Sequence, residues 1–298
     1  MLKLAEGTMI TPEVKLLEQL DKRLGGPTTW RALQTDWKKP VIVQVAAHGR
    51  IEEDLLDAFL TTCALAQEVG TARIAHIHDF GVFEDKLPFV VVEDLEGRTL
   101  EQTFKKQRRL GMDELEPLAK QLAEALDGAH ALDVYHHRLT TNDVVLRKGS
   151  EVDGVVRGFA MGLLERPAKS GEYLSPELYE GEEADARADL WSLGAILYRA
   201  LIGRPAVELI HRRQGKWDVE LPRMVVAKGL RETVGPVFAK ALARDPAGRF
   251  DSAGEMVDAI LEAIAEATGG DAQFKIVEVT NESLPPGSAD DEDEELAW

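Results

Sequence analysis

The chain has 298 residues and carries 53 acidic against 35 basic side chains, a formal net charge of −18 at pH 7. A chain of this length buries roughly three quarters of the surface that it exposes when unfolded, so it can build a sizeable core. Its hydrophobic share of 44% and charged share of 30% are ordinary for a globular protein and exclude disorder throughout. Because phosphate contacts need a basic face, the acidic excess argues against a nucleic-acid-binding protein.

Cysteine usage and hydropathy indicate the compartment. Cys63 is the single cysteine, so no intramolecular disulfide can form, and its helical apolar surroundings predict a buried side chain. The N-terminal residues lack an apolar secretory core, and no apolar stretch approaches the roughly 20 residues of a membrane span. We therefore expect a cytoplasmic protein with no membrane segment in this chain.

The first third of the chain predicts strands around one helix. Three short stretches are rich in β-branched residues, as strands are, and these are 41–46, 73–80 and 88–93. Residues 51–70 repeat apolar side chains at helical spacing, namely Leu55, Phe59, Cys63 and Ala66. Trp30 and Trp37 flank the first hairpin, and we expect them to pack on the sheet rather than to contact a partner.

Beyond Leu100 the pattern becomes helical. One predicted helix begins near Asp113, its expected N-cap, and carries an apolar stripe that consists of Leu115, Leu118, Leu122 and Ala125. Residues 189–203 are almost wholly apolar and predict a buried central helix that ends at Gly203. A capping box of Ser252 and Glu255 begins a last helix, which ends at Gly269. The pattern as a whole predicts a two-lobed α+β architecture.

Charge is concentrated in two places. From Ile276 onward the chain has eight acidic and no basic side chains, six of them consecutive at 290–295. We expect residues 268–298 to be a disordered, solubilising tail, or alternatively a docking motif that ends in Leu296 and Trp298. A basic run consists of Lys105, Lys106, Arg108 and Arg109. A solvated helix face is the favoured interpretation of this run, and a site for an acidic partner or for the chain's own tail is the alternative.

His76 and His78 lie two apart on a predicted strand and share a face, as metal ligands can. No cysteine or third histidine is placed near them by sequence. Ordinary strand positions are therefore favoured over a metal site.

Two long stretches carry a specific resemblance. PFVVVEDLEGRTLEQTF (88–104) and YLSPELYEGEEADARADLWSLGAILYRALIGRP (173–205) resemble the hinge region, and the activation-segment end with the central helix, of bacterial eukaryotic-type (Hanks-type) Ser/Thr protein kinases. The resemblance implies a protein-kinase-like fold over residues 16–267, after an N-terminal extension at 1–15. It implies a β-rich N-lobe with one helix at about 16–93 and a larger helical C-lobe at about 98–267.

The resemblance also places the family's reactive positions. Gln44 stands where the family has its strand lysine, and Thr62 stands where it has the carboxylate that holds this lysine. In the catalytic loop, Arg138 replaces the carboxylate base and Asp143 replaces the metal-binding Asn. Gly158 replaces the metal-binding Asp of Asp-Phe-Gly, and the glycine-rich cover is reduced to a Gly-Gly-Pro turn at 25–27.

These replacements remove the chemistry that phosphoryl transfer needs. A guanidinium stays protonated and cannot act as a base, and glycine supplies no carboxylate. Asp143 alone could ligate a cation, and one carboxylate seldom holds magnesium without substrate phosphates. We expect Arg138 and Asp143 to form a hydrogen-bonded pair in the emptied cleft.

By contrast, five positions match family residues that pack or tie the C-lobe together, and these are His136, Phe159, Glu177, Asp189 and Arg249. The combination predicts a pseudokinase, a non-catalytic scaffold or allosteric module in bacterial signalling that binds a protein partner and no cofactor. The alternatives are a divergent kinase or phosphotransferase, and a nucleotide sensor that binds ATP without turnover.

Overall fold

The computed structural model describes residues 4–20, 28–46, 51–149, 151–164, 171–206 and 228–269. Over these ranges a strand-rich N-lobe is joined at residues 94–96 to a mainly helical C-lobe. The two-lobed α+β fold expected from the sequence is confirmed. The Gly-Gly-Pro turn at 25–27 and the acidic tail beyond Gly269 lie outside the described residues.

The N-lobe is a six-stranded antiparallel sheet. Its strands are β1 (Met9–Thr11), β2 (Val14–Gln19), β3 (Thr28–Gln34), β4 (Lys39–Val45), β5 (Ile77–Phe83) and β6 (Leu87–Glu93), in the order β1-β2-β3-β4-β6-β5. Helix α1 (Glu53–Gln67) packs on one face through Phe59, Cys63 and Ala66. Cys63 is fully buried as predicted, and burial raises the pKa of its thiol to about 12.

The C-lobe is built around one buried helix. It contains the strands β7 (Gly97–Thr99), β8 (Val144–Arg147) and β9 (Gly154–Val156), which form a second sheet. Its helices in the described ranges are α2 (Leu100–Lys106), α3 (Met112–His130), α4 (Met161–Leu164), α5 (Pro176–Glu180), α6 (Ala186–Ile202), α7 (Lys228–Ala241) and α8 (Ala253–Thr268). Helix α6 is buried along almost its whole length, with α3, α7 and α8 packed around it. None of the helices in these ranges is long and apolar enough to cross a membrane.

Several predicted helix features are confirmed. The apolar stripe of α3 is buried. Helix α6 ends at Gly203, whose φ of 86° lies in the left-handed region that glycine adopts without strain. At the start of α8 the Ser252 hydroxyl accepts from the N–H of Glu255 at 3.1 Å. The N-cap of α3 is Gly111 rather than Asp113, because the Glu114 carboxylate satisfies the N–H of Gly111 from inside the helix.

One strand begins later than predicted, and the sheet includes part of the N-terminal stretch 1–15. Its first strand begins at Met9, and Ile10 and Val14 are apolar and buried in the sheet. The strand expected at 73–80 begins at Ile77, because the residues before it bind the C-lobe through a parallel bridge between Ile74 and Val156.

The two tryptophans of the first hairpin differ in environment. Trp30 is buried in the sheet as predicted, at 5% exposure. Trp37 lies in the turn between β3 and β4 and is 63% exposed, so its predicted packing is wrong. The turn carries the ring past the ends of β3 and β4, so it does not lie on a face of the sheet.

Candidate functional site

The strand and helix positions of the cleft, Gln44 and Thr62, both carry uncharged side chains. Along β4, Gln44 lies on the same face as Ile42 and Ala46, which belong to the same apolar core as α1. Thr62 lies on α1 and is half-buried. Gln44 is 8% exposed, and its amide oxygen has no hydrogen-bond partner within the described parts of the chain. An uncharged amide therefore occupies the position where the resemblance places a lysine.

The loop at 136–143 uses its carboxylate locally. Asp143 Oδ2 accepts from the N–H of Thr140 at 2.9 Å and from the Thr140 hydroxyl at 2.6 Å. The pair that we predict between Arg138 and Asp143 is not among these two bonds and stays a prediction. Arg138 lies beside α4, where its Cγ would be 3.3 Å from a Cβ placed on Gly162.

The turn at 158–160 has unusual backbone conformations. Gly158 has φ 95° and Ala160 has φ 71°, both in the left-handed region. That region costs a residue with a Cβ about 1–2 kcal/mol, and Ala160 is fully buried there. A Cβ on Gly158 would lie 3.6 Å from Asp143 Oδ1, so a carboxylate there would lie beside another carboxylate. The turn leads directly into α4, which packs against α1.

Asp189, on the buried helix α6, binds the backbone of the loop at 136–143. Its carboxylate accepts from the N–H groups of His136 and His137, both at 2.7 Å, and lies 3.0 Å from His130 Nε2. The ring of His136 stacks edge-on against Phe159 at 5.0 Å between centroids. Burial by itself raises the pKa of Asp189, but the hydrogen bond from His130 and the charges of the three histidines lower it on balance.

Glu177 and Arg249 form a bidentate buried ion pair. Both nitrogen–oxygen distances are 2.7 Å, and the two side chains are 5% and 0% exposed. The remaining donors of Arg249 go to the carbonyls of Ala243, Arg187 and Arg244. All five N–H groups of the guanidinium are therefore satisfied, which a buried cation requires.

The segment at 171–177 is held at further points. The Ser192 hydroxyl donates to the Tyr173 carbonyl at 2.7 Å. The Arg199 guanidinium binds the Tyr173 hydroxyl and pairs with Glu172 at 3.3 Å and Glu101 at 3.2 Å. These contacts tie the segment to α6 and α2, next to the Glu177 anchor. Ser170, which precedes it, lies outside the described residues.

His76 and His78 come together without completing a metal site. Their ring centroids are 4.9 Å apart, although His76 precedes β5 rather than belonging to it. Burial and the charge of His76 lower the pKa of His78. Within the described ranges, no group of three His, Cys, Asp or Glu side chains is arranged to hold a metal.

Sequence reasoning missed a network that joins the two lobes. Arg73, from the connection between α1 and β5, pairs with Asp153 of the β8–β9 hairpin at 2.6 Å and with Glu124 of α3 at 3.4 Å. Arg147 binds the same Asp153 at 2.8 Å, and this hydrogen bond lowers the pKa of Asp153. No local pattern indicates these pairs, because their members lie up to 80 residues apart.

The chain belongs to the protein kinase domain family, whose model matches residues 27–245. It is 23% identical to a probable serine/threonine-protein kinase of Clostridium acetobutylicum, over 96% of this chain and 46% of the relative. It is 27% identical to the probable serine/threonine-protein kinase PknB of Bifidobacterium longum, over 82% of this chain and 39% of the relative. The chain thus spans less than half the length of these two relatives.

Proposed function

We propose that this chain is a catalytically inactive member of the Ser/Thr protein kinase family that acts as a binding or allosteric module in bacterial signalling. The observation that carries the proposal is the arrangement at 138–158. A guanidinium stands at the base position, a glycine stands at the main metal position, and the Asp143 carboxylate is engaged by Thr140. The relatives are named as kinases, so the proposal departs from their names on the strength of these residues.

The size of the expected loss in catalytic rate supports the proposal. One preorganised charge-stabilising group is worth roughly 3–4 kcal/mol of transition-state stabilisation. The losses at Gln44, Arg138 and Gly158 together, allowing for strong non-additivity, remove on the order of 10⁴–10⁸ in rate. The reversion Gly158→Asp alone leaves the losses at Gln44 and Arg138 in place, and at φ 95° it puts a side chain into a backbone region that favours glycine.

The binding role is supported by the anchored segment at 171–177. A phosphorylation switch needs a segment that can rearrange, and an arginine cluster to receive the phosphate. Here Tyr173 and Glu177 are both held by buried or half-buried partners. A segment held in this way keeps the C-lobe surface around it in one arrangement, which suits constitutive binding of a protein partner.

The deciding experiment is a thermal-shift titration of the full chain with ATP, with and without magnesium or manganese. Ligand at 100 times its dissociation constant stabilises a protein by about 2.7 kcal/mol, which is roughly 5–10 °C here. We expect no shift at millimolar nucleotide and no transfer of labelled phosphate to the chain or to a generic protein substrate.

The other outcomes each favour one alternative. A metal-dependent shift together with phosphate transfer would overturn the proposal in favour of a divergent kinase. A nucleotide-dependent shift without transfer would favour a sensor. The triple reversion Gln44→Lys, Arg138→Asp and Gly158→Asp serves as a comparison for the transfer assay.

A further inference from the structure

A basic surface lies where the C-terminal ends of α2 and α6 meet, and it consists of Lys105, Lys106, Arg109 and Arg204. The backbone holds these two ends together, because the N–H of Leu110 donates to the carbonyl of Ala200 at 2.9 Å. A Cβ on Gly203, the C-cap of α6, would lie 3.3 Å from the carbonyl of Arg108. The four cations are exposed, except Arg109, which is half-buried.

Three carboxylates on the segments next to this surface are already engaged. Glu101 and Glu172 both pair with Arg199, and Glu114 accepts from the side chain of Gln107 at 2.9 Å. Over the described ranges, none of the four cations of the basic surface makes an ion pair with a carboxylate. The carbonyl ends of two helices favour cations here, so the positive charge is kept without an anionic partner.

The same chain carries a matching anion. Residues 290–295 are six consecutive carboxylates in a protein whose overall charge is already −18. Twenty residues, 270–289, separate this run from the end of the described C-lobe, and they reach at most about 70 Å when extended. A folded domain of this size has a radius of gyration of roughly 18 Å, so the extended connection is longer than the diameter of the domain.

We propose that the acidic run 290–295 binds the basic surface of the same chain. Opposite charge supplies the recognition, and the short connection supplies a local concentration on the order of millimolar, well above that of a second copy in dilute solution. The proposal does not depend on the catalytic state of the cleft.

The test is zero-length carbodiimide cross-linking of the full chain at about 5 µM, where the tethered reaction is favoured over reaction between chains. An equal mixture of ¹⁴N- and ¹⁵N-labelled protein distinguishes links within one chain from links between chains. We expect 290–295 to couple to the amines of Lys105 and Lys106 within one chain. The yield should be about tenfold above that at the exposed Lys38 and Lys39 of the N-lobe.

The double variant Arg109→Glu and Arg204→Glu keeps both reporting amines and should lower the yield to that of Lys38 and Lys39. Arg98→Glu with Arg244→Glu changes the net charge equally at exposed positions elsewhere and should leave the yield unchanged. Sodium chloride at about 0.5 M, where the screening length is about 4 Å, should also remove the links. Links spread evenly over all four lysines, links between chains only, or insensitivity to the Arg109 and Arg204 variant would each overturn the proposal.

Discussion

The loop at 136–143 separates two regions that differ in whether they hold paired buried charges. Below it, on the side of the C-lobe core, Asp189 accepts three hydrogen bonds, and Arg249 uses all five of its donors. Above it, on the side of the cleft, the Gln44 amide oxygen has no partner in the described parts of the chain, and Ala160 lies in a strained conformation. Both regions occupy positions that the family resemblance singles out, yet only the lower one retains the expected groups.

The difference teaches that the fold depends on the two regions unequally. Glu177, Asp189 and Arg249 are buried charges, so each needs its partner whether or not any reaction takes place. In the cleft, the loss of a carboxylate leaves no buried cation without its partner. The cleft residues can therefore change without unfolding the protein. Membership of a shared fold therefore predicts the residues of the lower region, whereas function must be argued from the residues of the upper region.

The largest effect should come from Glu177→Ala, which leaves the Arg249 guanidinium buried without its anion. We expect a loss of about 3–5 kcal/mol in the free energy of unfolding, or roughly 6–20 °C in Tm. Urea unfolding followed by circular dichroism measures this loss. The matched control is Glu180→Ala, which removes an exposed partner of Arg244 from the same helix and should cost at most about 1 kcal/mol. Equal effects of the two variants would break the comparison.

Asp189→Asn should have the second largest effect. The amide can accept from only part of the set formed by the His136 and His137 N–H groups and His130, and its own NH₂ must face the other donors. We expect a loss of about 2–4 kcal/mol by the same measurement. Asp185→Asn at the exposed N-cap of α6 is the control, because asparagine caps a helix about as well as aspartate. Unchanged stability in Asp189→Asn would show that the anchor does not rely on charge.

How far the sequence predicts this molecule depends on the range of the interaction. The ends of α6 and α8 and the burial of Cys63 follow from local spacing and capping residues, which act within one or two turns. Proximity in sequence pairs Arg138 with Asp143 but does not reveal that Thr140, three residues from Asp143, binds the same carboxylate. An N–H and a hydroxyl on the same turn reach it without ordering a long side chain.

Long-range contacts were outside the reach of pattern reasoning. The edge strand β1 has three residues, too few for a periodic signal, and it exists because β2 offers it a partner. The pairing of Arg73 with Asp153 spans 80 residues and follows from the docking of the two lobes. The pairing of Glu177 with Arg249 could be predicted only through a family resemblance, since the two residues lie 72 apart in the sequence.

A smaller effect should come from Asp143→Ala in the upper region. It removes the acceptor of the Thr140 N–H and hydroxyl, so we expect a loss of about 1–2 kcal/mol, as for a lost cap. Asp143→Asn keeps an acceptor for both donors and should cost less. If Asp143 has only this structural role, magnesium with ATP will leave the melting temperatures of the wild type and both variants unchanged. A ligand-induced shift in the wild type that Asp143→Ala abolishes would instead assign the carboxylate to metal binding.

The smallest effect should be a pH dependence of the free energy of unfolding that arises from His137. Burial lowers the pKa of His137 below its ordinary value near 6.5. Asp189 opposes this shift, and the charges of His136 and His130 add to it. Between the two pKa values the unfolded chain binds a proton that the folded protein does not, so the stability contribution is present above pH 6.5 and is lost as the pH falls.

We therefore expect Tm to fall from pH 7.5 to pH 5, and less steeply in His137→Asn. Asparagine is the suitable replacement, because it does not titrate and tolerates the left-handed backbone at φ 62°. His78→Asn should flatten the profile independently, since burial lowers the pKa of His78 as well and β5 lies away from this loop. An unchanged slope in His137→Asn would show that the imidazole takes up its proton equally in both states. The hydrogen bonds that Asp189 makes to this loop would then be independent of the charge on the ring.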